Sequence, residues 1–284
     1  MSKLYLVGTP IGNLGDLSPR AKEALQTADF IAAEDTRVTL KLLNRFEISK
    51  PMVSYYQHNL RERGEQLVAR MLAGESCALV TDAGMPAISD PGEDLVRLCA
   101  EAGIEIVSVP GPSAAITALA ASGLPTARFT FEGFLSVNRQ TRKEHLVSLE
   151  HERRTMIFYE APHKLRTTLS DLCDAFGADR RIALGRELTK LHEEIIRTTL
   201  GGAFARYEGA RAPRGEFVLV VEGAPAPAVK QLFITDAVQL ARSLMVGGVG
   251  PAPAAKEAAR ITGCRKSDIY RLLIAEESEE PEPS

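Results

Sequence analysis

Four short segments hold the side chains able to do chemistry. Glu34-Asp35-Thr36-Arg37 sets two carboxylates beside an arginine, and Tyr55-Tyr56-Gln57-His58-Asn59 adds an imidazole and two amides. Glu34, Asp35, Arg37, His58 and Asn59 are therefore candidates for proton transfer and for holding ribose or phosphate, with roles unassigned. A satisfied surface network accounts equally for any one of them, and His58 qualifies only if folding brings it to a cleft. Thr81-Asp82-Ala83-Gly84-Met85-Pro86-Ala87-Ile88-Ser89-Asp90-Pro91-Gly92 is unusually dense in Asp, Gly and Pro. A carboxylate after a strand accepts hydrogen bonds from amino groups or ribose hydroxyls, although the same composition is ordinary turn chemistry. The glycines of Gly8–Asp16 suit close backbone approach to a ligand, although by themselves they favour a simple tight turn. That segment lacks the Gly-Lys-Ser/Thr ending of a phosphate-binding loop, and it lacks G-x-G-x-x-G. Val109-Pro110-Gly111-Pro112-Ser113-Ala114 places Ser113 either to cap the following helix or to offer its hydroxyl and amide to a ligand.

Those segments need elements to position them. Leu4–Val7, Phe30–Ala33, Cys77–Thr81 and Ile104–Val109 read as strands. Helices from Pro19 to about Ala28, Gly92 to Gly103 and Ala114 to Ser122 alternate with them. Continuous apolar strands separated by helices indicate a mostly parallel sheet covered on both faces. The loops would then share its carboxyl edge, where open α/β sheets bind ligands. A second block has strands at Phe129–Phe134, Thr155–Tyr159, Arg181–Leu184, Glu194–Thr199 and Phe217–Val221, with helices at Arg142–His151 and Lys164–Phe176. Ala224-Pro-Ala-Pro-Ala228 is a stiff linker. After it, Asp236–Val246, Ala254–Thr262 and Lys266–Ala275 read as helices with Gly263 between the last two, a helix-turn-helix pattern or a small helical cap. The expected organisation is an α/β domain over 1–120, a second α/β domain over 121–224, a helical domain over 230–275 and a disordered acidic tail over 276–284.

Composition narrows the classes. The chain has 284 residues, 45% hydrophobic and 25% charged, so it buries a sizeable core and is not disordered overall. No apolar stretch approaches the ~20 residues of a membrane span. A strand-like LYLV stands at the start, so no signal or transit peptide is expected, and a cytoplasmic location is. Cys77, Cys99, Cys173 and Cys264 sit far apart without C-x-x-C spacing, which points to free thiols rather than zinc or disulfides. The net charge of -3 conceals an asymmetry. Residues 1–127 hold 11 basic and 15 acidic side chains, 128–214 hold 16 and 12, and 215–284 hold 7 and 10. An anionic partner belongs with the middle segment.

LYLVGTPIGNLGDLSPRA, AAEDTR, SYYQHN, LVTDAGMPAISDPG, VPGPSAAITAL, FEGFL, FYEAPHKL, GRELTKLHEE and RGEFVLVVEG stand in an order spanning Leu4 to Gly223. In these nine segments the chain resembles the tetrapyrrole-methylase-like (class III) S-adenosylmethionine-dependent methyltransferases. Within them it resembles the bacterial branch that 2′-O-methylates a cytidine of 16S rRNA. The ending GCRKSDIYRLL is similar to the small helical domain of that branch. Thr81-Asp82-Ala83 stands where tetrapyrrole methylases typically show G-D-P, which favours the rRNA branch.

The resemblance implies two α/β domains with S-adenosylmethionine in the cleft between them, no metal, and a homodimer acting on 16S rRNA in the small ribosomal subunit. It places Pro10, Asp82, Gly84, Met85, Ser113, Ala114, Tyr159 and Leu188 at the cofactor, many through backbone, so that the side chain of Tyr159 need not matter. The loop Ser136–Lys143 is leaner in basic residues than is common in the branch. Arg139, Arg142 and Lys143 there, with Arg265 and Lys266 in the helical end, are the expected RNA contacts. His58 and Glu34 are the candidate bases and Arg37 the phosphate holder. A small-molecule, tetrapyrrole-type methyltransferase and a non-catalytic ribosome-binding protein are the alternatives.

Overall fold

Strands whose residues are all apolar persist only where both faces are covered, and Phe30–Ala33 and Cys77–Val80 are buried at every position. The computed structural model describes residues 2–56, 60–209, 213–226 and 233–277. His58 and Asn59, the end of the 224–228 linker and the tail from residue 278 lie outside the described residues. The chain divides into two units, Met1–Ala224 and Pro225–Ser284.

The first sheet comprises β1 (Lys3–Val7), β2 (Phe30–Ala33), β3 (Met52–Ser54), β4 (Cys77–Val80) and β5 (Glu105–Val109), all parallel, in the order β3-β2-β4-β1-β5. The connecting helices are α1 (Pro19–Thr27), α2 (Thr36–Arg45), α3 (Leu60–Leu72) and α4 (Glu93–Glu101). One core layer gathers Val7, Ala21, Leu25, Ile31, Leu43 and Val80 on one face, and another gathers Leu4, Phe30, Tyr55, Leu67, Leu79 and Leu95 on the other. Ser18 caps α1 by accepting from Ala21 N at 3.0 Å, with Pro19 at the first helical position. The sequence reading passed over α2, β3 and α3. The polar Glu34–Arg37 cluster is in fact the start of α2, whose N-cap is Asp35.

The helix α5 (Ala114–Ser122) follows β5. It is apolar around most of its circumference, and although Ile116 and Ala120 are exposed, Ala115, Ala118, Leu119 and Ser122 are buried. Its Ala115, Ala118 and Leu119 pack on Ile157, Ala183, Val218 and Val220 of the second sheet. The expected boundary at residue 120 therefore falls inside a helix that leaves the first sheet and packs on the second.

The second sheet has the order β6-β7-β10-β8-β9, from β6 (Phe129–Phe134), β7 (Thr155–Glu160), β8 (Arg181–Arg186), β9 (Glu194–Thr199) and β10 (Phe217–Val221). Only β6 and β7 run parallel; the other pairs are antiparallel. The helices α6 (Arg139–Ser148), α7 (Leu165–Phe176) and α8 (Leu200–Tyr207) complete it. The start of α6 lies three residues before the expected Arg142 because Asn138 accepts from Gln140 N and Thr141 N. Gly201 and Gly202 hid α8 from the pattern, yet Thr199 caps it through Gly202 N.

In the second unit α9 (Ile234–Val246), α10 (Pro251–Thr262) and α11 (Lys266–Glu277) pack through Ala237, Ala241, Ala254, Ala255 and Ala258 against Ile269 and Leu273. Small residues let the helices approach closely. Gly263 ends α10 in the left-handed region at a φ of 74°. Among the described residues no helix is long and apolar enough to cross a membrane.

Two loops meet with no room for side chains. A Cβ on Gly111 would lie 2.7 Å from Gly8 Cα, against backbone that cannot swing aside. Gly111→Ala should therefore destabilise the protein by roughly 1–3 kcal/mol, read as a lowered midpoint in thermal unfolding; an unchanged midpoint would show that the β1 and β5 loops are not held together here.

Candidate active site

β1 lies between β4 and β5. The chain leaves β1 through α1 toward β2 on one side, and leaves β4 through α4 toward β5 on the other. The two connections lie on opposite faces of the sheet, α1 on one core layer and α4 on the other, and such a switch between adjacent parallel strands opens a crevice at their carboxyl ends. Across it Thr9 N donates to Gly84 O at 2.9 Å and Gly84 N donates to Thr9 O at 3.1 Å. Thr9 Oγ1 also donates to Thr81 O at 3.1 Å. Gly84 sits at a φ of 91°, open to glycine and costly to other residues.

Strand register assembles the acids. Ala33 pairs with Val80, so the next residues, Glu34 and Thr81, stand side by side. Thr81 Oγ1 donates to Glu34 Oε2 at 2.6 Å, and Asp82 N to the same oxygen at 3.3 Å. Asp82 Oδ1 accepts from Asp35 N at 3.2 Å. Burial, then the charge of Glu34, holds the Asp82 carboxyl above its ordinary value. The same two causes push Asp90 to about 6.

Asp35 behaves oppositely. Its Oδ1 accepts from Arg37 N and Nε, and its Oδ2 from Arg37 Nη2 at 2.6 Å. Those bonds lower its carboxyl to about 2. Asp35 is thus a helix cap and not a proton acceptor. Arg37, although its side chain is 88% exposed, already has its fork engaged by that carboxylate.

The opposite wall comes from the second sheet. Because β10 runs antiparallel to β7 and β8, Tyr159 and Glu160 pair with Val218 and Phe217, which in turn pair with Gly185 and Arg186. One sheet edge therefore collects Tyr159, Gly185 and Val218. Ser113 does not cap α5 with its hydroxyl; Ala115 N instead donates to Tyr159 Oη at 3.2 Å. Tyr159 packs edge-on against Phe131 and Phe134, with centroids 5.0 and 5.5 Å away. Its side chain thus joins α5 to the second sheet. Leu188 stands between Glu187 and Thr189, both at positive φ. Glu160 is buried and is satisfied by Ala161 N and Thr168 Oγ1.

Together these walls enclose a cleft of about 540 Å³, within the range of small-molecule and cofactor pockets. Asp82, Gly84, Met85, Ser113, Ala114, Tyr159 and Leu188 all line it, as does Glu34. Pro10 does not, although the next residue, Ile11, does. Asp90, His163 and Glu216 also line it and escaped the sequence reading. Asp90 belongs to a segment the composition had marked, whereas nothing local in sequence flags Glu216. Among the described residues that line it there is no Lys or Arg. Such a cleft repels phosphates and suits a ligand bearing amino or hydroxyl donors, or a positive centre, over an apolar floor of Ile11, Met85 and Leu188.

Of the expected RNA contacts, Arg139 and Lys143 are exposed on α6, and Arg265 and Lys266 are exposed around the start of α11. Arg142 is not available. Its Nε donates to Asp171 Oδ2 at 2.6 Å and its Nη1 to Ser136 O, so it ties α6 to α7 with its side chain 14% exposed.

The profile of the Tetrapyrrole (Corrin/Porphyrin) Methylases matches residues 3–203. A protein of Synechocystis sp. named "Ribosomal RNA small subunit methyltransferase I" is 48% identical over 282 residues, covering 98% of this chain and 100% of its own length. One of the same name from Escherichia coli O157:H7 is 43% identical, covering 97% and 96%. The solved methyltransferase CobJ superposes with a TM-score of 0.58 at 19% identity, covering 79% of this chain and 95% of its own. A uroporphyrin-III C-methyl transferase from Thermus thermophilus, complexed with S-adenyl homocysteine, superposes with a TM-score of 0.53 at 19% identity, covering 77% and 97%. These two share the fold. The chain belongs to the tetrapyrrole (corrin/porphyrin) methylase family, in the group whose curated members carry that ribosomal RNA methyltransferase name.

Proposed function

We propose that this protein transfers a methyl group from S-adenosylmethionine to the ribose 2′-oxygen of a cytidine in 16S rRNA, on the small ribosomal subunit, as a cytoplasmic homodimer. The observation that carries the rRNA reading is the extent of the likeness. The family profile ends at residue 203 and the two solved structures cover 79% and 77% of the chain, whereas the relatives named for small-subunit rRNA cover 98% and 97% of it. The helical unit from Pro225 onward is thus shared with the rRNA-named relatives. Its exposed Arg265 and Lys266, with Arg139 and Lys143 on α6, supply phosphate contacts that the acidic cleft does not.

The cleft fits the methyl donor by its chemistry. Glu34 and Asp82 oppose a cationic centre and accept from amino and ribose hydroxyl groups, and the Ser113 hydroxyl, not used in capping, remains available. S-Adenosylmethionine supplies a methyl already activated by a sulfonium charge. The residues of the chain bind the two reactants, align the 2′-oxygen with that methyl and exclude water. Alignment of this kind is worth roughly 7–11 kcal/mol.

Incubated with methyl-labelled S-adenosylmethionine, the protein should label small ribosomal subunits and leave a porphyrin precursor unlabelled. Label in the porphyrin, or in no acceptor, would refute the rRNA assignment. Asp82→Ala should weaken cofactor binding at least tenfold in calorimetry while the melting temperature stays near that of the parent; retained affinity would remove Asp82 from the cofactor site. Replacing Arg139, Lys143, Arg265 and Lys266 by alanine should weaken binding to subunits and flatten its salt dependence, each lost phosphate contact reducing the log–log slope by roughly 0.7–0.9. An unchanged slope would place the RNA elsewhere.

A further inference from the structure

Transfer to a ribose hydroxyl releases a proton, and the cleft must contain a group able to receive it. Among the carboxylates, Asp35 is engaged by Arg37 on both oxygens. Glu34 Oε2 accepts from Thr81 Oγ1 and from Asp82 N. Asp82 Oδ1 accepts from the backbone of Asp35. Asp90 differs. It lines the cleft half-buried, beside the Thr81 hydroxyl, whose proton goes to Glu34 Oε2.

Its place is fixed by backbone. Ala87 and Ser89 hold φ of 67° and 63°, and Gly92 holds 142°, so Asp90 sits in a turn of residues in a rarely populated conformation. Strain of this kind persists where the surrounding structure enforces it, and it clusters at functional sites. A Cβ on Gly92 would meet Leu79 Cδ2 at 2.9 Å and Ala87 N at 3.1 Å, which fixes the turn against β4. Across the cleft, the negative charge of Asp90 reaches the Tyr159 phenol on β7. Asp90 lines the same cleft as Glu34 and Asp82 of the first-sheet side and Tyr159 of the second.

We propose that Asp90 takes the proton from the ribose 2′-hydroxyl during methyl transfer, an inference that rests on the methyltransferase reading above. The bond made joins the 2′-oxygen to the methyl carbon. The bond broken is carbon–sulfur, its electron pair stays on sulfur, and the proton passes to Asp90 Oδ and then to water. The electrostatics agree: burial and the facing Glu34 and Asp82 raise this carboxyl to about 6, the Thr81 hydroxyl opposing them. Arg37 faces Asp82 from α2, while His163 and Glu216 line the cleft from the second-sheet side. A carboxyl at that position is a stronger base than an ordinary aspartate and is still ionised near neutral pH.

Single-turnover labelling of small subunits should rise with pH, inflect near 6 and then level. Asp90→Asn should lower the plateau rate by roughly 10²–10⁴-fold and abolish the inflection, while S-adenosylmethionine affinity stays within about threefold of the parent. His163→Gln should keep the inflection. A ligand-free readout accompanies these. A carboxyl raised by folding costs stability as pH climbs from its unfolded value of about 3.9 to 6. The melting temperature of Asp90→Asn relative to the parent should therefore increase between pH 4 and 7. A variant as fast as the parent, an inflection lost in His163→Gln but kept in Asp90→Asn, or cofactor affinity lost together with rate would each overturn the assignment. Parent protein that fails to bind S-adenosylmethionine would instead overturn the methyltransferase reading beneath it.

Discussion

The packing of α5 on the second sheet is the contact on which the site depends. The helix begins where β5 ends, at the carboxyl edge of the first sheet, and lays Ala115, Ala118 and Leu119 on Ile157, Ala183 and Val218. Alanine at two of these positions brings backbone close to the strands. The Tyr159 hydroxyl then accepts from Ala115 N, satisfying one of the free amides at the start of the helix from the other wall. Each sheet thereby fixes the other, and the cleft between them has a defined width.

Within that cleft the balance is electrostatic. Carboxylates gathered by the Ala33–Val80 register repel one another, and burial adds to the cost of their charge. A ligand with a positive centre relieves both effects, whereas a phosphate would add to them. Acids line the pocket, and exposed basic side chains lie on α6 and, in the second unit, around the start of α11.

Local signals in the sequence identified most elements. The Ser18-Pro19 start of α1, the β2 run Phe30–Ala33 and the strands Glu194–Thr199 and Phe217–Val221 follow from capping chemistry and apolar patterning alone. Seven expected cofactor residues reach the cleft because they stand at or just beyond the ends of strands. Strand order was not legible, and neither were its consequences. Glu34 meets Thr81 across 47 positions of sequence, and Glu216 arrives only because β10 runs antiparallel to its neighbours. Side-chain roles were legible least of all. Asp35, Arg37 and Arg142 look like free functional charges in sequence, yet their partners, Arg37 for Asp35 and Asp171 for Arg142, consume them. The helical α2 and α3 were hidden by the polar residues that attracted attention to their starts.

The position of α5 in the chain also sets an order of events during synthesis. The first sheet has all five strands once Val109 has emerged, and α5 follows at once. The strands that cover it extend to Val221. For about a hundred residues of elongation, at 5–20 residues per second, this alanine-rich helix lacks the complete sheet on which it rests. The nascent chain thus carries a sticky surface until its last strand leaves the ribosome, and a truncated product ending near residue 200 would retain it permanently.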